Sequence, residues 1–255
     1  MHLNPLAVEA KSLTISYGAT QAIGPSDFSI PAGHVTAVIG PNGSGKSTLL
    51  NVIAGLIEPS AGSIQVGARD GVKGRIAYVL QNTKANEALP ITVREVVSMG
   101  SYADAGWFRP LRASHQEAVA SAMTRTGITD LAERQLHDLS GGQRQRVYVA
   151  QGLAQDHDLL LLDEPLTGID LPTAQAIDVI IHDETERGCT VILTTHDLAE
   201  ARAADFVLLL SGRLVRAGSP DEVLTDEALF EAYGTNLVHQ GPQGPVFDDA
   251  AHHEH

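Results

Sequence analysis

Cysteine is nearly absent from this 255-residue chain: Cys189 is the only one, so no internal disulfide can form. That fits a reducing compartment, and Cys189 itself reads as a small buried residue ahead of a strand. Long apolar runs are missing as well. A bilayer-spanning helix needs about 20 consecutive apolar residues, whereas the longest runs, such as Leu159–Leu162 and Phe206–Leu210, are strand-sized. The first residues, Met1-His2-Leu3-Asn4-Pro5, lack the basic-then-apolar layout of a secretion signal. The expectation is a soluble cytoplasmic protein that acts at a membrane only through a partner. Positive charge is scarce too, with 17 Lys and Arg against 31 Asp and Glu and a net charge of −14. Nucleic-acid backbones call for a basic face, so no nucleic-acid partner is expected. A single anionic ligand needs only local positive charge. The chain shows no internal repeat.

What is present is enough apolar sequence, 43% of residues, for one α/β domain with a small subdomain. Val35–Ile39, Ile76–Leu80, Leu159–Leu162 and Val191–Leu193 read as strands. They are apolar on both faces, as central strands of a covered sheet are. Helical stretches alternate with them. One follows Lys46 and stops near Gly55. A second takes Ser114 as its cap and carries Val119 and Met123 on one face. A third starts after Ser140. A fourth has Asp170 as cap, Pro172 in its first turn, Ile177 and Ile181 on one face, and Gly188 at its end. Such alternation implies a largely parallel sheet. Ala7–Tyr17 and Ser26–Ile30 read instead as an antiparallel edge subdomain. Phe206–Leu210 and Arg213–Ala217 read as a hairpin around Ser211-Gly212. Ser219-Pro220-Asp221-Glu222 then opens a capped helix.

Three motifs carry chemistry. Gly40-Pro41-Asn42-Gly43-Ser44-Gly45-Lys46-Ser47-Thr48 matches the phosphate-binding P-loop pattern, placed between a strand and a helix as that pattern requires. Its glycines let backbone N–H groups wrap a triphosphate at a helix N-terminus. Lys46 is the candidate for the β- and γ-phosphates and Ser47 for Mg²⁺. Leu159-Leu160-Leu161-Leu162-Asp163-Glu164-Pro165 delivers two carboxylates to the carboxyl edge of the sheet, where open α/β folds bind ligands. Asp163 suits a place in the Mg²⁺ shell, and Glu164 suits a general base that polarises water. Leu139-Ser140-Gly141-Gly142-Gln143 begins a helix whose amino end is left bare by two glycines. On the residues alone this is either a second anion site or a helix cap with no ligand.

The third motif, lying between a P-loop and an Asp-Glu strand, resembles the signature sequence of ABC transporter ATPases. The resemblance runs from about Ala7 to about Tyr233. It implies an α/β P-loop NTPase fold: a mostly parallel sheet flanked by helices, an N-terminal antiparallel β subdomain, and a helical signature subdomain at about 84–154. It also implies ATP and Mg²⁺ as ligands and a homodimer with ATP sandwiched between protomers. In that dimer the P-loop of one subunit and Ser140, Gly141, Gly142 and Gln143 of the other share a triphosphate. By the same resemblance Tyr17 stacks on adenine, although a core tyrosine is the plain alternative. Gln81 senses Mg²⁺ and the γ-phosphate, Asp170 crosses the dimer interface, and His196 contacts the γ-phosphate. The implied catalytic set is therefore Glu164, His196, Lys46 and Gln81, and the metal set Ser47, Gln81 and Asp163. Arg144 and Arg146 are expected on a solvated or partner-facing side of the signature helix.

The implied partners are two membrane-spanning permease subunits and, indirectly, an extracytoplasmic binding protein, with this chain on the inner face of the membrane. Thr92–Gly100 and Gly106-Trp107-Phe108-Arg109-Pro110 resemble the ATPases of manganese, zinc and iron uptake systems. Cobalamin and iron-siderophore importers share the layout and stay open as cargo classes. A soluble non-transport ATPase of the same superfamily is the reading from another class, disfavoured by the acidic charge and by the single ATPase domain. Trp107 and Phe108 face either the membrane partner or their own subdomain. Residues 1–236 are read as the ATPase domain, and 237–255 as a His/Asp-rich tail without regular structure. In that tail His239, His252, His253 and His255 beside Asp248, Asp249 and Glu254 are either a soft metal-binding set or a solvated end.

Overall fold

The computed structural model describes residues 5–69, 72–80, 90–105, 112–234, 237–241 and 244–247. The chain opens with β1 (Leu6–Tyr17) and β2 (Thr20–Pro31), which pair antiparallel. Then come β3 (Val35–Ile39), α1 (Lys46–Ile53), β4 (Ala61–Val66), the short pair β5 (Ala68–Arg69) and β6 (Val72–Lys73), and β7 (Ile76–Val79). Three helices follow, α2 (Val93–Ala105), α3 (Ala113–Arg125) and α4 (Gly141–Leu153), with two 3₁₀ turns between the last two. Next are β8 (Leu159–Leu162), α5 (Leu171–Glu186), β9 (Thr190–Thr195), α6 (Leu198–Ala203), β10 (Phe206–Leu210) and β11 (Leu214–Gly218). The chain continues through α7 (Pro220–Val223) and α8 (Asp226–Tyr233) to β12 (Leu237–Gly241) and β13 (Gly244–Phe247).

The central sheet has the order β11-β10-β3-β9-β8-β7. Its pairings are parallel except for the β10–β11 hairpin. All residues of β3, β8 and β9 are buried, which is why these segments show no apolar-polar alternation. One apolar core lies between this sheet and α2–α5, and a second lies under the antiparallel sheet β2-β1-β4 and α1. The sheet is thus covered on both faces, and its strand ends are the open edge.

Several boundaries depart from the sequence reading. The helix carrying Val119 and Met123 is capped at Arg112 rather than Ser114, because His115 Nδ1 accepts the Arg112 backbone N–H at 3.1 Å. Arg146 is partly exposed. Its guanidinium donates to Thr126 O at 3.3 Å and Gly127 O at 3.1 Å, tying α4 to the end of α3. Within the tail, β12 and β13 pair antiparallel, with Leu237 opposite Phe247 and Val238 opposite Val246. Apolar residues at register positions flanking Gly241 and Gly244 are a hairpin signal that the polar composition of the segment masks. Residues 248–255, with Asp248, Asp249, His252, His253, Glu254 and His255, lie outside the described residues, as do Trp107 and Phe108.

The helical subdomain is held by a close crossing of α2 and α4. A Cβ built on Gly100 would run into the Gln151 carbonyl oxygen, and beside it the buried Ser101 hydroxyl donates to Ala154 O at 3.1 Å. Gly100→Ala should therefore force the helices apart and lower stability by about 1–3 kcal/mol, the usual cost of overpacking. Thermal or urea unfolding checks this, and an unchanged midpoint would show that the crossing is not tight.

Candidate nucleotide site

Four neighbouring strands bring the sequence motifs to one edge. In the order β3-β9-β8-β7, the P-loop follows β3, His196 follows β9, and Asp163 and Glu164 follow β8. All leave from carboxyl ends, because parallel strands put their carboxyl ends on the same side, about 4.8 Å apart. Gln81 follows β7 by two residues but lies outside the described residues.

The P-loop turns sharply into α1. Gly45 is the N-cap in a left-handed conformation, with φ 101°, and a Cβ there would meet Ile23 Cγ1 at 2.6 Å. Both conditions require glycine. Lys46 is buried, and its ammonium donates to Gly40 O at 2.9 Å and Pro41 O at 3.3 Å. The Lys46 charge is thereby folded over the loop it belongs to. Ser44 Oγ is buried in the loop with no hydrogen-bond partner, and a Cβ built on Gly40 would lie 2.7 Å from it. Asn42, Gly43 and Ser47 are exposed, and Pro41 and Thr48 partly so. Tyr17, half exposed at 49%, donates its hydroxyl to Thr48 Oγ1 at 3.5 Å. An aromatic ring is thus placed beside the loop rather than in a core.

Asp163 joins three elements. It is buried at 5% exposure, and its Oδ1 accepts from Ser47 Oγ of α1 at 3.1 Å and from Thr194 Oγ1 of β9 at 2.6 Å. Thr194 in turn accepts the Glu164 backbone N–H at 2.8 Å. Glu164 has φ 47°, uncommon for a residue with a side chain. This hydrogen bond holds it there, with its carboxylate only partly buried at the rim. A hydroxyl and a carboxylate oxygen in direct contact are hard donors of the kind Mg²⁺ takes, so the pair fits that ion. His196, one residue past β9, is exposed.

Thr194 was not singled out by sequence reasoning, and neither was Glu200. The Glu200 carboxylate accepts from Thr195 Oγ1 at 2.6 Å. Burial pushes its pKa up; the charges of Asp197 and Glu164 add to this, while the Thr195 hydrogen bond and His196 oppose it. A hydroxyl inside a strand and a glutamate in a short helix give no sequence signal. Only the strand order brings them to the site.

The second anion-site candidate is built as its sequence suggests. Ser140 caps α4, with Ser140 Oγ accepting the Gln143 N–H at 3.3 Å and Gln143 Oε1 accepting the Ser140 N–H at 3.0 Å. A Cβ on Gly141 would meet nothing within 4 Å, and one on Gly142 would lie 3.0 Å from Thr173 Oγ1 and 3.4 Å from Asp170 Oδ2. The start of α4 therefore leans on the start of α5. Asp170 is exposed and caps α5 by accepting the Thr173 N–H at 2.8 Å, and hydrogen bonds from Thr173 hold its carboxyl below the usual range. The cap role expected of Asp170 is thus present.

Thr194→Val should unlink Asp163 from β9 and leave the Glu164 N–H without a partner. We expect a stability loss of about 1–3 kcal/mol and a turnover reduced by about tenfold or more through misplacement of Glu164. Steady-state ATPase assays with parallel melting curves check it. A destabilised variant with unchanged turnover would confine Thr194 to a structural role.

Comparison with known proteins agrees with this geometry. The family model described as ABC transporter matches residues 23–167. The zinc transport system ATP-binding protein TroB of Treponema pallidum is 38% identical, over 96% of this chain and 95% of its own. The manganese transport system ATP-binding protein MntB of Bacillus subtilis is 36% identical, over 91% and 94%. The ferric enterobactin transport ATP-binding protein FepC of Escherichia coli is 38% identical, over 91% and 88%. Among solved structures, a metal-chelate type ABC transporter in an inward-facing conformation aligns with a TM-score of 0.80 at 29% identity, covering 89% of each chain. A bacterial ABC transporter cassette solved as a dimer aligns with a TM-score of 0.71 at 25% identity, covering 84% of this chain and 98% of that one. With the phosphate loop, the paired carboxylates and the signature helix on one such fold, the chain belongs to the ABC transporter family as an ATP-hydrolysing cassette.

Proposed function

We propose that this chain powers the import of a divalent metal ion of the manganese, zinc or iron class, working as a pair of cassettes beneath two permease subunits. The observation that carries the ATPase part is the Asp163 carboxylate bridging Ser47 and Thr194, with Glu164 held at the rim beside it. The cargo reading rests on relatives named for zinc and manganese transport that align over more than nine-tenths of this chain.

In this reading the N–H groups of Gly40–Thr48 and the Lys46 ammonium hold the phosphates of ATP, and Tyr17 is the platform for adenine. Ser47 and Asp163, with Gln81, hold Mg²⁺, which when bound offsets charge on the transferring phosphoryl oxygens. Glu164 orients the attacking water and accepts its proton, while His196 faces the γ-phosphate. Ser140, Gly141, Gly142 and Gln143 serve the nucleotide of the partner cassette, which gives the bare end of α4 an anion to meet. Asp170 lies across the interface so formed. No helix among the described residues is long and apolar enough to cross a membrane, so the path for the metal belongs to other chains, fed by an extracytoplasmic binding protein. A groove of about 570 Å³ lined by Ile91, Arg94, Met99 and Tyr102 is mostly apolar, with Met99 47% and Tyr102 37% exposed. Such surface suits a permease segment on the inner face of the membrane.

Glu164→Gln should keep ATP affinity, lower turnover at least about a hundredfold, and accumulate an ATP-dependent dimer in size-exclusion chromatography. Lys46→Ala should weaken nucleotide binding itself. A Glu164→Gln protein that hydrolyses ATP at nearly the wild-type rate would remove Glu164 from the role of base. For the cargo, manganese, zinc and iron are measured by mass spectrometry in cells of the source organism carrying Glu164→Gln under metal limitation. A selective fall in one metal is expected. Unchanged metals with impaired growth would move the assignment to siderophore or cobalamin uptake.

A further inference from the structure

We propose that His157, Glu184 and Cys189 form a binding site for one zinc-class cation, separate from the nucleotide site, where the helical subdomain meets the sheet. The three come from different places: the turn before β8, the last turn of α5, and the residue preceding β9. Their ligand atoms lie within 4.8 Å of one another, the one such His/Cys/carboxylate grouping among the described residues. The His157 and Glu184 side chains are 7% and 5% exposed, and Cys189 is buried. The proposal does not depend on the transport reading.

The hydrogen-bonding pattern points to a cation. His157 Nδ1 lies 2.7 Å from Gln155 O, so it carries the ring hydrogen and donates it. The other nitrogen, Nε2, then faces Glu184 Oε2 at 3.1 Å. A neutral imidazole in that orientation would aim a lone pair at a carboxylate oxygen. Burial opposes the charged ring, but hydrogen bonds to Cys189 and Glu184 raise its pKa to about 10, so a proton fills this place in the metal-free chain and a metal ion would take that proton's position. Two ligands of a tetrahedral zinc at about 2.0 Å stand about 3.3 Å apart, close to the spacing seen. A backbone carbonyl holding Nδ1–H is also the arrangement that orients metal-binding histidines. Cys189 Sγ, within 4.8 Å of the other two ligand atoms and donating to Thr190 O at 3.4 Å, has to release that carbonyl and move inward to reach a sulfur-to-zinc distance of about 2.3 Å.

Charge balance favours the same ion. A divalent cation takes the place of two protons, one from the Cys189 thiol and one from His157 Nε2, and both leave to solvent as the metal binds, so the net charge of the cluster with Arg125 is unchanged. Glu184 Oε1 stays paired with Arg125 Nη1 at 2.6 Å, so the guanidinium supports the carboxylate from behind and leaves Oε2 for the metal. Sulfur, nitrogen and oxygen together select zinc-class ions over Mg²⁺ or Ca²⁺. A cavity of about 550 Å³, lined among others by Ser121, Arg125, Asp156, His157, Glu184 and Arg187, reaches the site. It provides an entry path and room for a water as fourth ligand.

The test uses the full chain, stripped of metal by a chelator and titrated with Co²⁺ as a spectroscopic substitute. Because Cys189 is the only thiol, a thiolate-to-cobalt charge-transfer band saturating at one ion per chain can come only from this site and not from the tail histidines. Zinc affinity, read by competition with a chromophoric chelator, should fall at least about tenfold in Cys189→Ser and in His157→Gln, with circular dichroism confirming the fold. If those variants do not fold, the cobalt spectrum of the unaltered chain still decides. No thiolate band at one equivalent of cobalt, or equal zinc affinity in folded variants, would overturn the proposal.

Discussion

A buried carboxylate with two hydroxyl donors organises the site. Asp163 Oδ1 takes hydrogen bonds from Ser47 and Thr194, linking the phosphate loop's helix, the acidic strand and the strand between them. A carboxylate this deeply buried is tolerated only when such donors replace its water. The donors are in turn fixed by where their strands end. Thr194 also secures the backbone of Glu164 in a conformation that a side-chain residue seldom holds. That links the placement of Asp163 to that of Glu164. Strain at a functional position is sustained when the surrounding structure over-determines it, and here Thr194 of the neighbouring strand β9 does so.

The acidic character of the whole molecule and the demand for anion binding are reconciled locally. Net charge is −14, yet the phosphate loop combines a buried ammonium, a helix N-terminus and backbone N–H groups in one place. Nearby, burial raises the Glu200 pKa and the charges of Asp197 and Glu164 add to this, while the Thr195 hydrogen bond and His196 oppose it. The signature helix presents a second bare N-terminus against α5, and the capping bonds of Ser140 and Asp170 give both helix starts a defined direction.

Much of this was legible in the sequence, because local physics carries it. The apolar-rich runs Val35–Ile39 and Leu159–Leu162 became buried strands with those same limits. Ser140 and Asp170 cap the helices their side chains suit, and Gly45 stands where only a glycine fits. The cap at Arg112, the bonds from Arg146 to the end of α3 and the terminal strand pair were not legible. In those places a single long-range or cross-strand partner outweighs the local propensity.

By itself, the sequence determined the central strands, the starts of the α4 and α5 helices, the loop chemistry and the family, since such caps, strand cores and phosphate loops are encoded within a few neighbouring residues. The tertiary structure decided which of those residues meet. The order β3-β9-β8-β7 makes Thr194 the link between Asp163 and Glu164, two positions about thirty residues away in the chain. It also brings His157, Glu184 and Cys189 together. Strand order is set by packing the whole apolar core at once, and no local pattern records it.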